Sequence, residues 1–523
     1  MPMPIPTKYC LSPLSLLVLI GIFSFFYLLH HGLRGKEKGE RSSGVVSKKK
    51  LPPGPKGFPI LGCLPMLGRF PHVTFQKWAK QYGPIMYMKL GLFPTVVVSS
   101  PQAAQQFLKV HDLVFASRPI TEIGRLISNN YKGMSFTPYG TYWRNIRKIC
   151  TLEFFSSVKT ESFRPVRKEE LGLLVGSLKE ASEAREVVNL TTKVATLSRD
   201  MTNRMVMGKK YMEESLREGR FNFKEVTDEL MCLAAAFNIA EFIPWTRDLD
   251  LQGLGRRLRA VSHAFNVLFD RIIDDHIEDK DEKRQRDFVD FMLSMMDSND
   301  YEFQFDRSNM KAIMLEIIVA ATDTTFTTTE WTLSELIKNP NTMKKAQQEL
   351  ETIVGKERMV DESDLVKLDY LDMVIKESMR LHTPVPLLLP HESREDCTIN
   401  GFHIPKGSRV LINAWAIGRD PAVWPKPDQF SPERFIGTNI DVRGQDFQLV
   451  PFGSGRRGCP GMQLGLTVVK FVLAQLIHCF DWELPNGMLP ADLDMTDKAS
   501  FVMPRAHNLL AIPTYRLRDV VSP

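Results

Sequence analysis

Helical periodicity dominates the chain beyond residue 60. An Asp306 or Ser308 cap, followed by Met314, Ile317, Ile318 and Ala321, predicts a helix reaching about Lys338, just ahead of Pro340. A second helix is predicted from about Asp364 through Leu371, Val374, Ile375 and Met379, ending before Pro384. A third begins at Pro460 and carries Leu464, Val468, Val469, Val472 and Leu476. The short apolar runs Ile85–Met88, Val96–Val98 and Arg409–Ile412 read as strands, and Phe447–Val450 is strand-like too. The charged run from Asp274 to Asp287 reads as a solvated helix end and loop. No repeat or second linker interrupts the pattern. Residues 60–523 therefore read as one large domain, mainly α with small β-sheets, against the three domains that length alone suggests.

Ahead of that domain the pattern changes. Leu11–Leu29 is nineteen residues without a charge, rich in Leu, Ile, Val and Phe. At about 1.5 Å per residue it matches a hydrocarbon core of about 30 Å. Seven basic and two acidic residues follow between His31 and Lys50, against Lys8 alone in front. The positive-inside rule then leaves the body of the protein in the cytosol. A cleaved signal peptide would carry its basic charge in front and a small-residue cleavage site behind. Here the charge lies behind and no A-x-A-like site is evident. Residues 1–31 are expected to form a membrane anchor. Residues 32–59 are expected to form a basic, proline-rich linker, stiffened by Leu51-Pro52-Pro53-Gly54-Pro55.

Composition narrows the function classes. At 43% hydrophobic and 24% charged residues the chain is an ordinary globular one. Its net charge of +6 belongs to the tail: residues 1–50 hold eight of the 67 basic and two of the 61 acidic residues, leaving 59 of each sign. No nucleic-acid-binding body is indicated. The seven cysteines are odd in number, far apart and free of any C-x-x-C, which argues against a disulfide framework or a structural zinc site. Cys232 and Cys479 read as buried packing residues.

Cys459 is different. Phe452-Gly453-Ser454-Gly455-Arg456-Arg457-Gly458-Cys459-Pro460-Gly461 is a glycine-rich loop delivering a cysteine to the start of an apolar helix. Pro460 suits a first helical position, and the helix dipole with two nearby arginines would favour thiolate over thiol. A lone thiolate suits an iron whose other ligands come from a porphyrin. The competing reading is a dinucleotide site, because Gly453, Gly455 and Gly458 satisfy G-x-G-x-x-G after a strand-like run. Pro451 interrupts that approach and no parallel strand is predicted to complete the unit.

The loop matches the F-x-x-G-x-R-x-C-x-G signature at every fixed position, and on it the chain resembles the cytochrome P-450 superfamily. The resemblance runs from about Leu51 to Leu517. Glu377 and Arg380 form E-x-x-R, a pattern that Glu122/Arg125, Glu161/Arg164 and Glu214/Arg217 also satisfy. Only its order, before Pro432-Glu433-Arg434-Phe435 and the cysteine loop, gives it weight. The resemblance makes Glu377, Arg380 and Arg434 structural residues of the haem-side core. It makes Cys459 the iron ligand of haem b (iron protoporphyrin IX), with Phe452 and Gly461 beside the cofactor. Trp143 and Arg147, one helical turn apart, become propionate partners with Arg457, and His391 becomes a further partner, with a surface histidine as the rival reading. Ala320-Ala321-Thr322-Asp323-Thr324-Thr325 resembles the family's oxygen-binding groove, with Asp323 and Thr324 as the proton-delivery pair. The usual second glycine is Ala321 here, and seven threonines from Thr322 to Thr332 leave an ordinary Thr-rich helix as the plain alternative.

The implied reaction is RH + O2 + NADPH + H+ giving ROH + H2O + NADP+. No nucleotide or flavin domain is visible, so electrons must come from a partner, NADPH–cytochrome P-450 reductase. The anchor, Phe115-Ala116-Ser117-Arg118-Pro119 and Ala414-Trp415-Ala416-Ile417-Gly418-Arg419-Asp420-Pro421 resemble the plant endoplasmic-reticulum group, which modifies lipophilic specialised metabolites. Family position suggests substrate contacts at Ile120, Phe136, Ala320, Val385, Leu388 and Phe501, mostly apolar. The resemblance favours a terpenoid, such as a polycyclic taxane diterpenoid. A phenolic, flavonoid or biphenyl substrate is the alternative.

Overall fold

In the computed structural model, which describes residues 49–210, 223–279, 286–296 and 303–518, one helix of 32 residues organises the fold. The expected anchor, residues 1–31, and residues 32–48 of the expected linker lie outside the described residues. In chain order, the helices that build the site are α1 (Thr141–Glu153), α2 (Arg164–Glu183), α3 (Leu190–Met207), α4 (Leu254–Glu278), α5 (Arg307–Lys338), α6 (Asp369–Leu381) and α7 (Met462–Cys479). Asp306 starts α5. Its carboxylate accepts the Asn309 N–H at 3.0 Å, and its own N–H donates to Asn309 Oδ1 at 2.8 Å. The reciprocal pair satisfies two donors that a helix start otherwise leaves open. Beyond the cap α5 is buried on nearly every side, packing against α3, α6 and α7.

Two helix starts differ from the sequence reading. The stretch from Asp364 is not one helix: a 3-10 turn, Glu362–Lys367, precedes α6, and Leu368 at ψ 74° separates them. Asp364 spends its side chain on the Asp361 N–H, closing the earlier turn instead of capping the later helix. Helix α7 starts at Met462, with Gly461 as its cap at φ −87°, ψ 11°. Pro460 therefore stands outside it. Among the described residues α7 is the one helix long and apolar enough to cross a membrane, and it is instead a mostly buried core helix.

Among the described residues nine short strands complete the fold: β1 (Ile85–Leu90), β2 (Phe93–Val98), β3 (Val188–Asn189), β4 (His391–Glu392), β5 (Cys397–Ile399), β6 (Phe402–Ile404), β7 (Arg409–Ile412), β8 (Phe480–Glu483) and β9 (Leu510–Tyr515). One sheet runs β1-β2-β7-β4, a second β3-β9-β8, and β5 pairs with β6. β2 and β7 are parallel, Val96 opposite Val410, and the other pairings are antiparallel. The three runs read as strands from the sequence fall in β1, β2 and β7. Phe447–Val450 is a turn, so the dinucleotide reading loses the strand it required.

Other sequence readings are corrected by burial. The charged run is solvated where α4 ends, with Asp274, Glu278 and Asp279 exposed, but Asp287 at its far side is buried and accepts from His276 Nε2 at 2.9 Å, and that imidazole also bonds Ile272 O. Cys479 is buried as expected, but Cys232 is exposed on a helix flank.

Glu377 and Arg380 of α6 form a fully buried ion pair, which the partly buried Arg434 joins. Arg380 forks onto Glu377 at 2.7 and 2.8 Å, and Arg434 Nε reaches Glu377 Oε1 at 2.9 Å. The remaining Arg380 hydrogens go to the carbonyls of Gly418, Pro427 and Gln429. Glu122/Arg125 and Glu161/Arg164 also pair, but with an exposed or half-exposed partner. Breaking a buried pair from one side strands a charge in low dielectric. Replacement by Arg380→Met should therefore destabilise the protein by about 3–5 kcal/mol. Urea unfolding would show this as a lowered midpoint at unchanged slope; an unshifted midpoint would refute it.

Candidate active site

The cysteine loop is shaped by its glycines and tied down by backbone hydrogen bonds. Gly455 has φ 68° and lies so close to Leu108 O that a Cβ would overlap it. A 3-10 turn, Gly455–Arg457, then presents Cys459, whose N–H donates to Phe452 O at 2.9 Å. Cys459 has free surface although protein surrounds it densely, so it faces an internal space. Burial pushes its thiol up, while the Gly461 N–H and the charge of Arg147 pull it down; burial prevails. The expected thiolate bias from a helix start is thus corrected, because α7 begins beyond Gly461. Nor do the two loop arginines supply it: Arg456 pairs with Asp112 at 2.5 Å, and Arg457 turns to backbone carbonyls.

Those carbonyls form the second part of the site. Arg457 donates to Ala116 O at 2.5 Å, Thr137 O at 2.6 Å and Met134 O at 3.3 Å. Arg118 donates to Leu389 O and Pro390 O, both at 2.8 Å, and to Ser135 O at 3.2 Å. Arg147, on α1, donates to Gly458 O at 2.5 Å. None of the three forms an ion pair with a carboxylate among the described residues. Burial lowers all three; the Arg147 charge helps bring Arg118 to about 9, and the Arg118 and Arg147 charges help bring Arg457 to about 8. His391, on β4, is buried rather than on the surface. Burial with the neighbouring Arg118 and Arg457 charges drops it to about 3, and Nδ1 bonds Phe115 O at 2.8 Å. Trp143 differs from expectation: its one N–H donates to Met134 O at 2.9 Å, and its ring lies under the Arg457 guanidinium at 4.0 Å. As placed, it supports an arginine and offers no hydrogen to an anion.

The third part is the middle of α5. Within a helix otherwise buried, Ala320 is exposed and Ala321, Asp323 and Thr324 are partly so. Thr324 Oγ1 donates to Ala320 O at 2.6 Å, and Thr328, Thr329 and Thr332 bond back in the same way. The helix stays regular throughout. Burial, with the negative charge of Asp228, raises the Asp323 carboxyl to about 6.

A cavity of about 1330 Å³ adjoins these elements. Its walls come from residues 58–72, 234–251, 385–390 and 499–503. Val385, Leu388 and Phe501 line it, whereas Ile120, Phe136 and Ala320 do not; Ile120 is 51% exposed. Leu388, at φ 53°, also packs towards Gly453 of the cysteine loop, and Trp331 of α5 donates to Met503 O at 2.9 Å. The cavity thus touches both the cysteine loop and the long helix through its own walls.

Sequence reasoning missed two residues of this assembly. Arg118 was visible only within a family motif. Glu316, fully enclosed and bonded to the N–H groups of Met134 and Ser135 at 2.6 and 2.8 Å, was a lone acid inside the apolar run of α5.

With this geometry in place, comparison defines the class. The cytochrome P-450 family model matches residues 52–512, and the chain belongs to the cytochrome P-450 family. It is a haem-dependent monooxygenase, supplied with electrons by a reductase. It is 52% identical over 475 residues to cytochrome P-450 CYP736A12 of Panax ginseng, covering 90% of this chain and 94% of that one. It is 43% identical over 465 residues to cytochrome P-450 71AP13 of Prunus mume, covering 88% and 90%. A flavonoid 3',5'-hydroxylase of Solanum melongena is 39% identical over 480 residues, covering 91% and 93%.

The raised Asp323 carboxyl has a consequence for stability. Its folded value of about 6 lies above its ordinary 3.8, so the folded state favours the protonated form. This contribution is fully present below pH 3.8 and is lost as pH rises through 6. The Asp323→Asn variant should be more stable than its parent at pH 7.5, with the gap narrowing by pH 5. Urea melts at the two pH values test it; an equal gap at both would contradict it.

Proposed function

We propose that Cys459 Sγ would bind the iron of haem b, and that Arg118, Arg147 and Arg457, with His391 beside them, would hold its propionates. The observation carrying this is three enclosed guanidiniums with no carboxylate partner, next to a cysteine facing an internal space. Buried charge of one sign calls for a partner of the other, and planar carboxylates suit guanidinium forks. Phe452 and Gly461 shape the loop on the sulfur side. Bound haem supplies the oxygen-activating electron chemistry that side chains lack. Metal ligation keeps the Cys459 sulfur deprotonated against the burial that raises it.

The rest is the work of this chain. Asp323, with a carboxyl near 6, holds or releases a proton at neutral pH, and the Thr324 hydroxyl beside it positions that proton within the accessible part of α5. Glu377, Arg380 and Arg434 keep the floor below the cysteine loop rigid. The electron donor is NADPH–cytochrome P-450 reductase. The protein sits in the endoplasmic-reticulum membrane by a single anchor, with its body in the cytosol; support for this is the Leu11–Leu29 stretch and the basic residues behind it.

The substrate is a bulky lipophilic specialised metabolite that enters past Val385, Leu388 and Phe501. The cavity walls are almost wholly carbon, with Arg69, His72, Thr246 and Ser500 among the few polar side chains. Such walls suit a terpenoid, a taxane-like polycycle included, better than a polyphenol needing several hydrogen bonds. A flavonoid substrate is the second reading, favoured by relatives that are named flavonoid hydroxylases. Feeding both classes to microsomes with reductase and NADPH separates them: terpenoid hydroxylation is expected, and turnover of flavonoids alone would reverse the order.

Two variants test the chemistry. The dithionite-reduced carbon monoxide difference spectrum should show the family's red-shifted Soret band in the wild type and lose it in Cys459→Ser. An identical band in both would remove Cys459 as ligand. Thr324→Ala should keep that band while NADPH consumption exceeds product and peroxide accumulates. Full coupling would take the proton role away from Thr324.

A further inference from the structure

The loop from Gly133 to Thr137 lies between opposite charges. Its N–H groups at Met134 and Ser135 point to one carboxylate oxygen of Glu316, at 2.6 and 2.8 Å. Its carbonyls at Met134, Ser135 and Thr137 point the other way, to Arg457 and Arg118. Peptide dipoles held at both ends by full charges polarise and stiffen one another. Glu316 is also the one carboxylate whose field offsets the Arg118 and Arg147 repulsion on Arg457. Its own geometry is tight: a Cβ on Gly133 would overlap the Glu316 carboxylate, so a methyl there must displace it. Its second oxygen, Oε1, is buried without a hydrogen bond. Glu316 stands two helical turns before Asp323 on α5, and Arg457 stands two residues before Cys459. One side chain therefore links the long helix to the cysteine loop through four peptide groups.

We propose that Glu316 is a positioning residue for the haem cradle: it holds the 133–137 loop so that its carbonyls aim Arg118 and Arg457 at the propionates. This rests on the arginine cradle argued above. Glu316 touches no reacting atom in this account, and its effect travels through Met134 and Ser135.

The test is haem release from the purified full-length holoenzyme to excess apomyoglobin, alongside the thermal unfolding midpoint. Losing a charged acceptor for two buried N–H groups should speed release about tenfold in Glu316→Gln, with little change in midpoint. Gly133→Ala should do the same by displacing the carboxylate. In a Glu316→Ala background, adding Gly133→Ala should have no further effect, because the overlap is gone. Arg457→Met serves as the control for the cradle itself. Wild-type release from Glu316→Gln with fast release from Arg457→Met overturns the role of Glu316 and leaves the cradle standing. Wild-type release from Arg457→Met overturns the cradle. A Glu316→Gln protein whose midpoint falls in step with its haem loss marks Glu316 as a general core residue and also overturns the proposal.

Discussion

Positive charge enclosed without negative charge is the constraint on which this structure turns. A guanidinium taken out of water must recover its hydration from somewhere. Arg118 and Arg457 recover part of theirs from backbone carbonyls at residues 116, 134, 135, 137, 389 and 390, and Arg147 from residue 458. These carbonyls belong to segments hundreds of residues apart. The arginines thus act as nodes that gather the 115–118 turn, the 133–137 loop, the 388–391 corner and the cysteine loop. The hydrogen bonds satisfy direction but supply no ion pair, and burial lowers all three arginines, with neighbouring like charge adding to it for Arg118 and Arg457.

The same residue types a short distance away show the contrast. Around Glu377, two arginines share a carboxylate, and every remaining Arg380 hydrogen finds a carbonyl. That cluster is complete, and completeness makes it a floor. The arginine cradle has no ion-pair partner among the described residues, which is why we propose it as a receptor. A buried ionic group whose partner is inside the chain rigidifies; one whose partner is missing selects a ligand.

How much of this was legible in the sequence follows from how local each determinant is. The cysteine loop could be read because its fixed residues lie within ten positions and the glycines answer to backbone approach, as Gly455 against Leu108 O illustrates. Helix α5 could be read because a cap, an apolar run and Pro340 agree. The start of α7 was misplaced by two residues because Pro460 has the right propensity for a first turn that the chain does not make there. Glu377 and Arg380 were legible only through their order relative to Arg434, since two other E-x-x-R pairs form salt bridges at more open positions. Arg118 and Glu316 escaped because their partners are backbone atoms of a distant loop, and a backbone carbonyl has no letter in the sequence. Ile120, Phe136 and Ala320 do not line the apolar cavity, because position along the chain does not fix which wall a side chain joins.

The cavity obeys a different rule from the cradle. A charge selects its partner by sign and direction, whereas carbon walls discriminate by shape, at about 1–3 kcal/mol per methylene. Selectivity there depends on how firmly the walls are held. Leu388 is the wall residue under most constraint: a bulky side chain at φ 53°, its N–H bonded to Val385 O at 3.1 Å, packed towards Gly453. A left-handed leucine persists only where its surroundings enforce it. Those surroundings are the next two carbonyls, Leu389 and Pro390, both held by Arg118. On the proposed reading, the guanidinium that would meet a propionate on one side also fixes, through two peptide groups, the apolar surface offered to a substrate on the other.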